Sequence, residues 1–143
     1  MAKAFFYGLF LDPDILIELG LSPQNIQIAK LENYDLVIGE RANLIEKHNS
    51  DTWGNLIDLK EEELKKLYSE KSVDDYQPKT VSCVVDNNKN EKAVTYILPD
   101  DYKMNAAKNS DYAEKLLTVC KKYDFPESYL KRINKIIDEI GNK

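Results

Sequence analysis

The spacing of apolar positions changes repeatedly along this chain, and each change marks an element. Ala4 to Tyr7 is an apolar and aromatic run of strand type. It meets Gly8, and Asp12-Pro13-Asp14 then has the composition of a helix start. The pattern predicts a short helix from Pro13 to about Leu19, with Asp12 as N-cap and Gly20 as the stop. Between Ile26 and Ile38, the positions Ala29, Leu31, Tyr34, Leu36 and Ile38 keep a period of two on each side of a break at Glu32-Asn33. That spacing predicts two strand segments joined by a bulge or turn. Arg41 to Lys47 reads as a further strand, His48 to Asp51 as a turn by composition, and Thr52 to Leu59 as a strand whose Gly54 marks a bulge or a close approach.

From Lys60 to about Tyr68 the period becomes helical. Leu64, Leu67 and Tyr68 form one apolar stripe, and Glu61 to Glu63 suit the positive end of the helix dipole. After a charged connection, Thr80 to Asp86 and Lys92 to Leu98 flank Asn87-Asn88-Lys89-Asn90 as a β-hairpin, which Pro99 ends. Asp100 to Asn109 is a polar loop. Two C-terminal helices follow. The first is capped by Ser110-Asp111 and carries Tyr112, Leu116, Val119, Cys120 and Tyr123; the second, after Asp124-Phe125-Pro126, carries Tyr129, Leu130, Ile133, Ile136, Ile137 and Ile140. Strands dominate the first part and helices gather at the end, so the fold class is α+β with a mixed sheet.

A length of 143 residues suits one domain, 1–143, with a core that needs no staples. With 43% hydrophobic and 31% charged residues the chain has the profile of a soluble globular protein. Its net charge of −5 comes from interleaved Lys and Glu, without a basic face, which argues against nucleic acid and anionic membrane as partners. Cys83 and Cys120 lack CxxC spacing and read as reduced, buried thiols of a cytoplasmic protein. The run up to Leu11 is broken by Asp12 and Asp14 and does not read as a signal peptide.

The single His48 lies in a polar stretch without metal-ligand spacing, and no phosphate-binding glycine loop or dinucleotide fingerprint is present. No metal and no cofactor is therefore expected, and an enzyme built from these residues would use carboxylate acid–base chemistry. A loop between a strand end and a helix start, such as Gly8 to Leu11, offers backbone amides to an anion.

The order of several short motifs carries more than any one of them. Tyr7-Gly8-Leu9-Phe10-Leu11 is similar to the Tyr-Gly-Ser/Thr-x-Leu loop of the γ-glutamylcyclotransferase-like family, and Thr52-Trp53-Gly54 to its Val-Trp-Gly strand. Leu64 and Leu67 before Ser69-Glu70 resemble its helix ending Leu-Asp-x-x-Glu-Gly. Tyr76, Leu98-Pro99, Tyr112, Asp124-Phe125-Pro126 and Tyr129 follow in the family's order. The resemblance implies a barrel-like sheet and a cofactor-free release of 5-oxoproline from a small γ-glutamyl peptide or amine. It makes Glu70 the general acid and base, partly buried beside Tyr68 and Tyr76. Tyr7, Gly8, Leu9, Phe10 and Leu11 become the substrate loop, with Tyr76, Tyr112 and Arg41 as further contacts. Leu9 and Phe10 stand where the family has small or polar residues, and Lys71 where it has glycine. A second functional class is therefore kept beside the enzyme, in which the same scaffold binds a small anion without turning it over.

Overall fold

The computed structural model describes residues 1–39, 41–71, 73–99 and 110–141. Five strands and four α-helices alternate in the order β1 (Ala2–Phe6), α1 (Pro13–Glu18), β2 (Gln24–Ile38), β3 (Ala42–Leu59), α2 (Glu61–Leu67), β4 (Gln77–Val85), β5 (Lys89–Ile97), α3 (Ser110–Cys120) and α4 (Glu127–Gly141), with single 3₁₀ turns at Leu9–Leu11 and Asp86–Asn88. The polar loop expected over Asp100 to Asn109 lies outside the described residues, as does the side chain of Ile140. Among the described residues no helix is long and apolar enough to cross a membrane.

The strands close into a barrel in the order β1-β3-β2-β4-β5. Every neighbouring pair is antiparallel except β5 and β1, which meet in parallel at Ala4 and Val94 and complete the ring. Closure makes the described strands a ring rather than an open sheet. It also brings the C-terminal ends of β1, β2 and β5 to the same end of the barrel as the N-terminal ends of β3 and β4, and the site described below lies there.

Local chemistry explains most of the elements. Asp12 caps α1 by accepting the Asp14 N–H at 3.1 Å, Pro13 opens the helix, and Gly20 leaves it with a φ of +86° that suits glycine. The second Asp12 oxygen accepts from Lys122 Nζ at 2.9 Å, so the cap also ties α1 to the segment after α3. In α2, Glu63 reaches back to the Lys60 N–H at 3.2 Å and so supplies one half of a capping box.

The break at Glu32-Asn33 is real: the β2–β3 register shifts between Glu32 and Tyr34, and Asn33 takes a φ of +65°. His48 to Asp51, expected as a turn, remains within β3. Tyr34 pairs with Glu46 while Glu32 pairs with Asp51, so Lys47 to Ser50 are extra residues set against Asn33, and Asn49 also sits at a φ of +65°. The Asn49 N–H donates to the Asn33 side chain at 3.2 Å. The turn-forming composition is thus used for a wide bulge inside a long strand rather than for a chain reversal. Gly54 is required by a close approach, because a Cβ placed there would lie 2.1 Å from the Phe6 carbonyl oxygen across the β1–β3 seam.

Phe5, Leu11, Leu16, Leu36, Leu56, Ile57, Leu59, Leu116 and Ile133 are essentially buried and form one continuous core. Cys83 and Cys120 are free, buried thiols. The C-terminal helices dock on the sheet through Trp53, Phe125 and Tyr129 and through a buried carboxylate, Asp35, which accepts from the Arg132 guanidinium at 3.1 Å.

Candidate functional site

The barrel end where five strand ends meet is not filled. A cavity of about 320 Å³ opens there, walled by residues from β1 and the loop after it, the β2–β3 connection, the segment between α2 and β4, the end of β5, and α3. Phe5, Phe6, Leu9, Phe10, Ala42 and Val73 supply its apolar walls, and Tyr7, Tyr68, Tyr76, Tyr96 and Tyr112 its phenols. Arg41 is the one cation among the described lining residues.

Each phenol is held by a different device. Tyr7 donates to the Tyr96 carbonyl at 2.7 Å, linking the loop after β1 to the end of β5. Tyr76 donates to the Ala42 carbonyl at 2.5 Å and so joins the start of β4 to the start of β3. Tyr112, carried by α3, accepts the Leu9 N–H at 3.2 Å. That hydroxyl lies where a Gly8 side chain would be, 2.5 Å from an added Cβ, so glycine at this position makes room for Tyr112. Tyr68 ends α2 and stacks on Tyr96 with ring centroids 3.7 Å apart and planes 13° from parallel. Phe10 meets Tyr68 edge to face at 6.1 Å, and Phe6 meets Phe10 in the same way at 6.2 Å.

Burial raises the pKa of Tyr7, Tyr68, Tyr96 and Tyr112 and so keeps these four phenols protonated. Tyr7 and Tyr68 are pushed well above the ordinary tyrosine value, first by desolvation and then by the neighbouring phenols. Tyr112 rises to about 12 and Tyr96 rises as well, both chiefly through desolvation. These four phenols therefore offer neutral hydroxyls, which donate and accept hydrogen bonds but supply no base. Positive charge comes from Arg41, paired in bidentate fashion with Asp75 at 2.7 and 2.6 Å and lying 5.4 Å over the Tyr76 ring. The guanidinium beside Asp75 lowers the pKa of that carboxyl.

Of the residues the sequence pointed to, Tyr7, Gly8, Leu9, Phe10, Tyr76, Tyr112 and Arg41 come together around this cavity. Leu11 does not line it. It is fully buried, donates its N–H to the Gly8 carbonyl at 2.9 Å, and belongs to the core. The loop amides are also partly committed, since the Leu9 N–H is taken by Tyr112.

Glu70 lies in an exposed bend after α2 and is not among the lining residues, although Tyr68 and Val73 on either side of it are. The partial burial expected of an acid–base glutamate is absent there. Tyr68 and Tyr96 are the residues that pattern reading passed over. Tyr68 was read as part of a helix stripe and as a neighbour of Glu70. A spacing signal was nevertheless present: in Leu-Asp-x-x-Glu-Gly the glutamate follows the leucine by four, and four residues after Leu64 is Tyr68. Tyr96 carried no signal, because it lies in a hairpin strand with ordinary alternation.

Residues 4–115 match the sequence model of the family described as gamma-glutamyl cyclotransferase, AIG2-like. The chain belongs to this family. A solved gamma-glutamyl cyclotransferase superposes with a TM-score of 0.78 at 15% identity, covering 99% of each chain. An uncharacterised human protein gives 0.78 at 17% identity, with 93% of this chain and 86% of that one covered. The yeast gamma-glutamyl cyclotransferase specific to glutathione gives 0.68 at 11% identity, with 97% and 96% covered. At these identities the likeness establishes a shared α+β barrel fold. No curated protein matches the chain by sequence.

Proposed function

We propose that this member of the γ-glutamyl cyclotransferase family binds a small organic anion in the tyrosine-lined cavity without turning it over. The observation that supports this reading is the exchange of positions at the end of α2. A neutral phenol, Tyr68, faces the cavity and the Glu70 carboxylate stands outside it. Ring closure to 5-oxoproline needs a group that takes a proton from the α-amine and returns one to the leaving nitrogen. Phenols whose pKa has been raised by burial cannot accept that proton near neutral pH. What they can do, with Arg41 beside them, is hold a carboxylate and its hydrogen-bonding neighbours.

A second reading is supported by the family match and by the position of Glu70 between two cavity-lining residues. In it the substrate's α-amine attacks its own γ-carbonyl carbon. The C–N bond of the five-membered ring forms, and the bond to the leaving amine breaks. Glu70 accepts the ammonium proton and delivers it to the departing nitrogen.

Incubation with a panel of γ-glutamyl dipeptides and γ-glutamylamines, followed by mass spectrometry for 5-oxoproline and by NMR for binding, separates the two. Binding without 5-oxoproline is the expected result. Release that disappears in Glu70→Gln would overturn it in favour of the enzyme.

A further inference from the structure

Arg41 and Asp75 sit at the cavity in an arrangement that binding of a small anion does not by itself require. The guanidinium lines the cavity with its side chain 27% exposed, whereas its carboxylate partner faces solvent at 45% and lies outside the lining. The pair spans two connections, from the β2–β3 link to the residue before Tyr76, and neither partner is locked into the core. Arg41 is positioned independently of Asp75, because it lies over the Tyr76 ring and Tyr76 is anchored to the Ala42 carbonyl. A guanidinium supported from below by an aromatic face keeps its fork when one planar anion leaves and another arrives.

Around it are apolar walls from Phe5, Phe6, Phe10 and Val73, and the stacked Tyr68–Tyr96 pair. The volume of about 320 Å³ lies at the small end of ligand pockets. Such a space suits a compact aryl or branched alkyl group better than an extended zwitterion.

We infer that Asp75 is an exchangeable resting counter-ion for Arg41, and that the cavity selects a small carboxylate with an apolar body, whose carboxylate displaces Asp75 from the guanidinium while its body lies against the aromatic walls. The inference rests on the small-anion reading above and names its ligand class. The exchange is anion for anion. Asp75 is exposed and its carboxyl is held below an already acidic ordinary value by the Arg41 guanidinium, so it stays ionised and passes into solvent when displaced, leaving no charge buried unpaired.

The test uses the whole protein and three probes, 3-phenylpropanoate, its uncharged amide and glutarate, titrated while the cavity tyrosine resonances are followed by NMR. The phenylpropanoate should bind at least tenfold more tightly than either its amide or glutarate. Asp75→Asn should tighten phenylpropanoate three- to tenfold by removing the competitor, and Arg41→Gln should abolish the preference for the acid over the amide. Arg41→Lys, which keeps the charge without the planar fork, should restore only part of it. Thermal melts of each variant confirm that Asp75→Asn and Arg41→Lys stay folded. If phenylpropanoate binds but Asp75→Asn leaves its affinity unchanged or weaker, the exchange is wrong and the small-anion reading stands. If amide and acid bind equally, or glutarate binds best, the ligand class is wrong. If neither these probes nor the γ-glutamyl panel perturbs any cavity resonance, the small-anion reading itself fails.

Discussion

Two aromatic clusters in this barrel have similar compositions and opposite roles. Trp53, Tyr123, Phe125 and Tyr129 pack where the C-terminal helices meet the sheet, with ring centroids 5.9 to 6.4 Å apart. Ile133, on the same helix as Tyr129, is fully buried. Phe6, Phe10, Tyr68 and Tyr76 contact one another at 6.1 to 6.3 Å and Tyr68 stacks on Tyr96 at 3.7 Å, but on one side these rings face empty space. Ring content therefore does not mark a site. What distinguishes the second cluster is that its rings come from β1, β5 and the connections around one open end of the barrel, so they line a volume they do not fill.

Truncation of one ring in each cluster tests this contrast most strongly. Phe125→Ala should cost about 3–5 kcal/mol, because it opens a cavity in packed surroundings. Phe10→Ala should cost about 1–2 kcal/mol, because Phe10 is only partly buried and already borders open space. Denaturant melts compare the two; equal losses would mean that the cavity end is as tightly packed as the helix face.

Alanine at two glycines makes the next comparison. At Gly54 the added Cβ meets a backbone carbonyl in the β1–β3 seam, and a loss of about 3 kcal/mol is expected. At Gly8 it meets the end of the Tyr112 side chain, which can swing into the cavity, so about 1 kcal/mol is expected. The Gly8 variant should also lose the Leu9–Tyr112 hydrogen bond, visible as faster exchange of the Leu9 amide.

Alkaline titration distinguishes the clusters by ionisation. Tyr112 and Tyr123 are raised to about 12, Tyr129 lies well above the ordinary value of 10.0, and both thiols rise from 9.0 to about 12. In each case the folded state holds its proton more tightly than the unfolded chain. The stabilisation is complete below pH 9 and is lost progressively as pH rises through the window from about 9 to 12. Thermal melts should show this decline. Absorbance at 295 nm should show Tyr96, which is partly accessible, ionising in the folded protein, and the fully enclosed Tyr129 only on unfolding.

The smallest expected effect is at Tyr129 itself. Its hydroxyl is buried with no hydrogen-bond partner among the described residues. Tyr129→Phe should be neutral or stabilising by up to about 1 kcal/mol. Tyr68→Phe should leave stability equally unchanged but weaken ligand binding, a difference that a paired melt and NMR titration would show.

Where one short segment carried the information, the chain could be read directly. The Asp12 cap, the Gly20 stop, the break at Asn33 and the close approach at Gly54 each depend on a few adjacent residues, and each stands in the structure where it was expected. The His48 to Asp51 stretch misled because turn-forming residues serve equally in a wide bulge, and only the partner strand decides between them. The order of motifs points to Glu70, whereas exposure is decided by how the bend after α2 lies against the barrel end.

The sequence by itself determined most of the elements, their order and the family, because caps, breaks and periodicities are local, whereas the union of two expected strands into β3 is not. Tertiary structure alone decided which aromatic stripe would be core and which would be a wall. It did so by closing the barrel through β1 and β5, about ninety residues apart, and bringing Tyr7, Arg41, Tyr68, Tyr96 and Tyr112 to one rim. Void space arises from how distant chain ends fail to meet, and no local spacing records that.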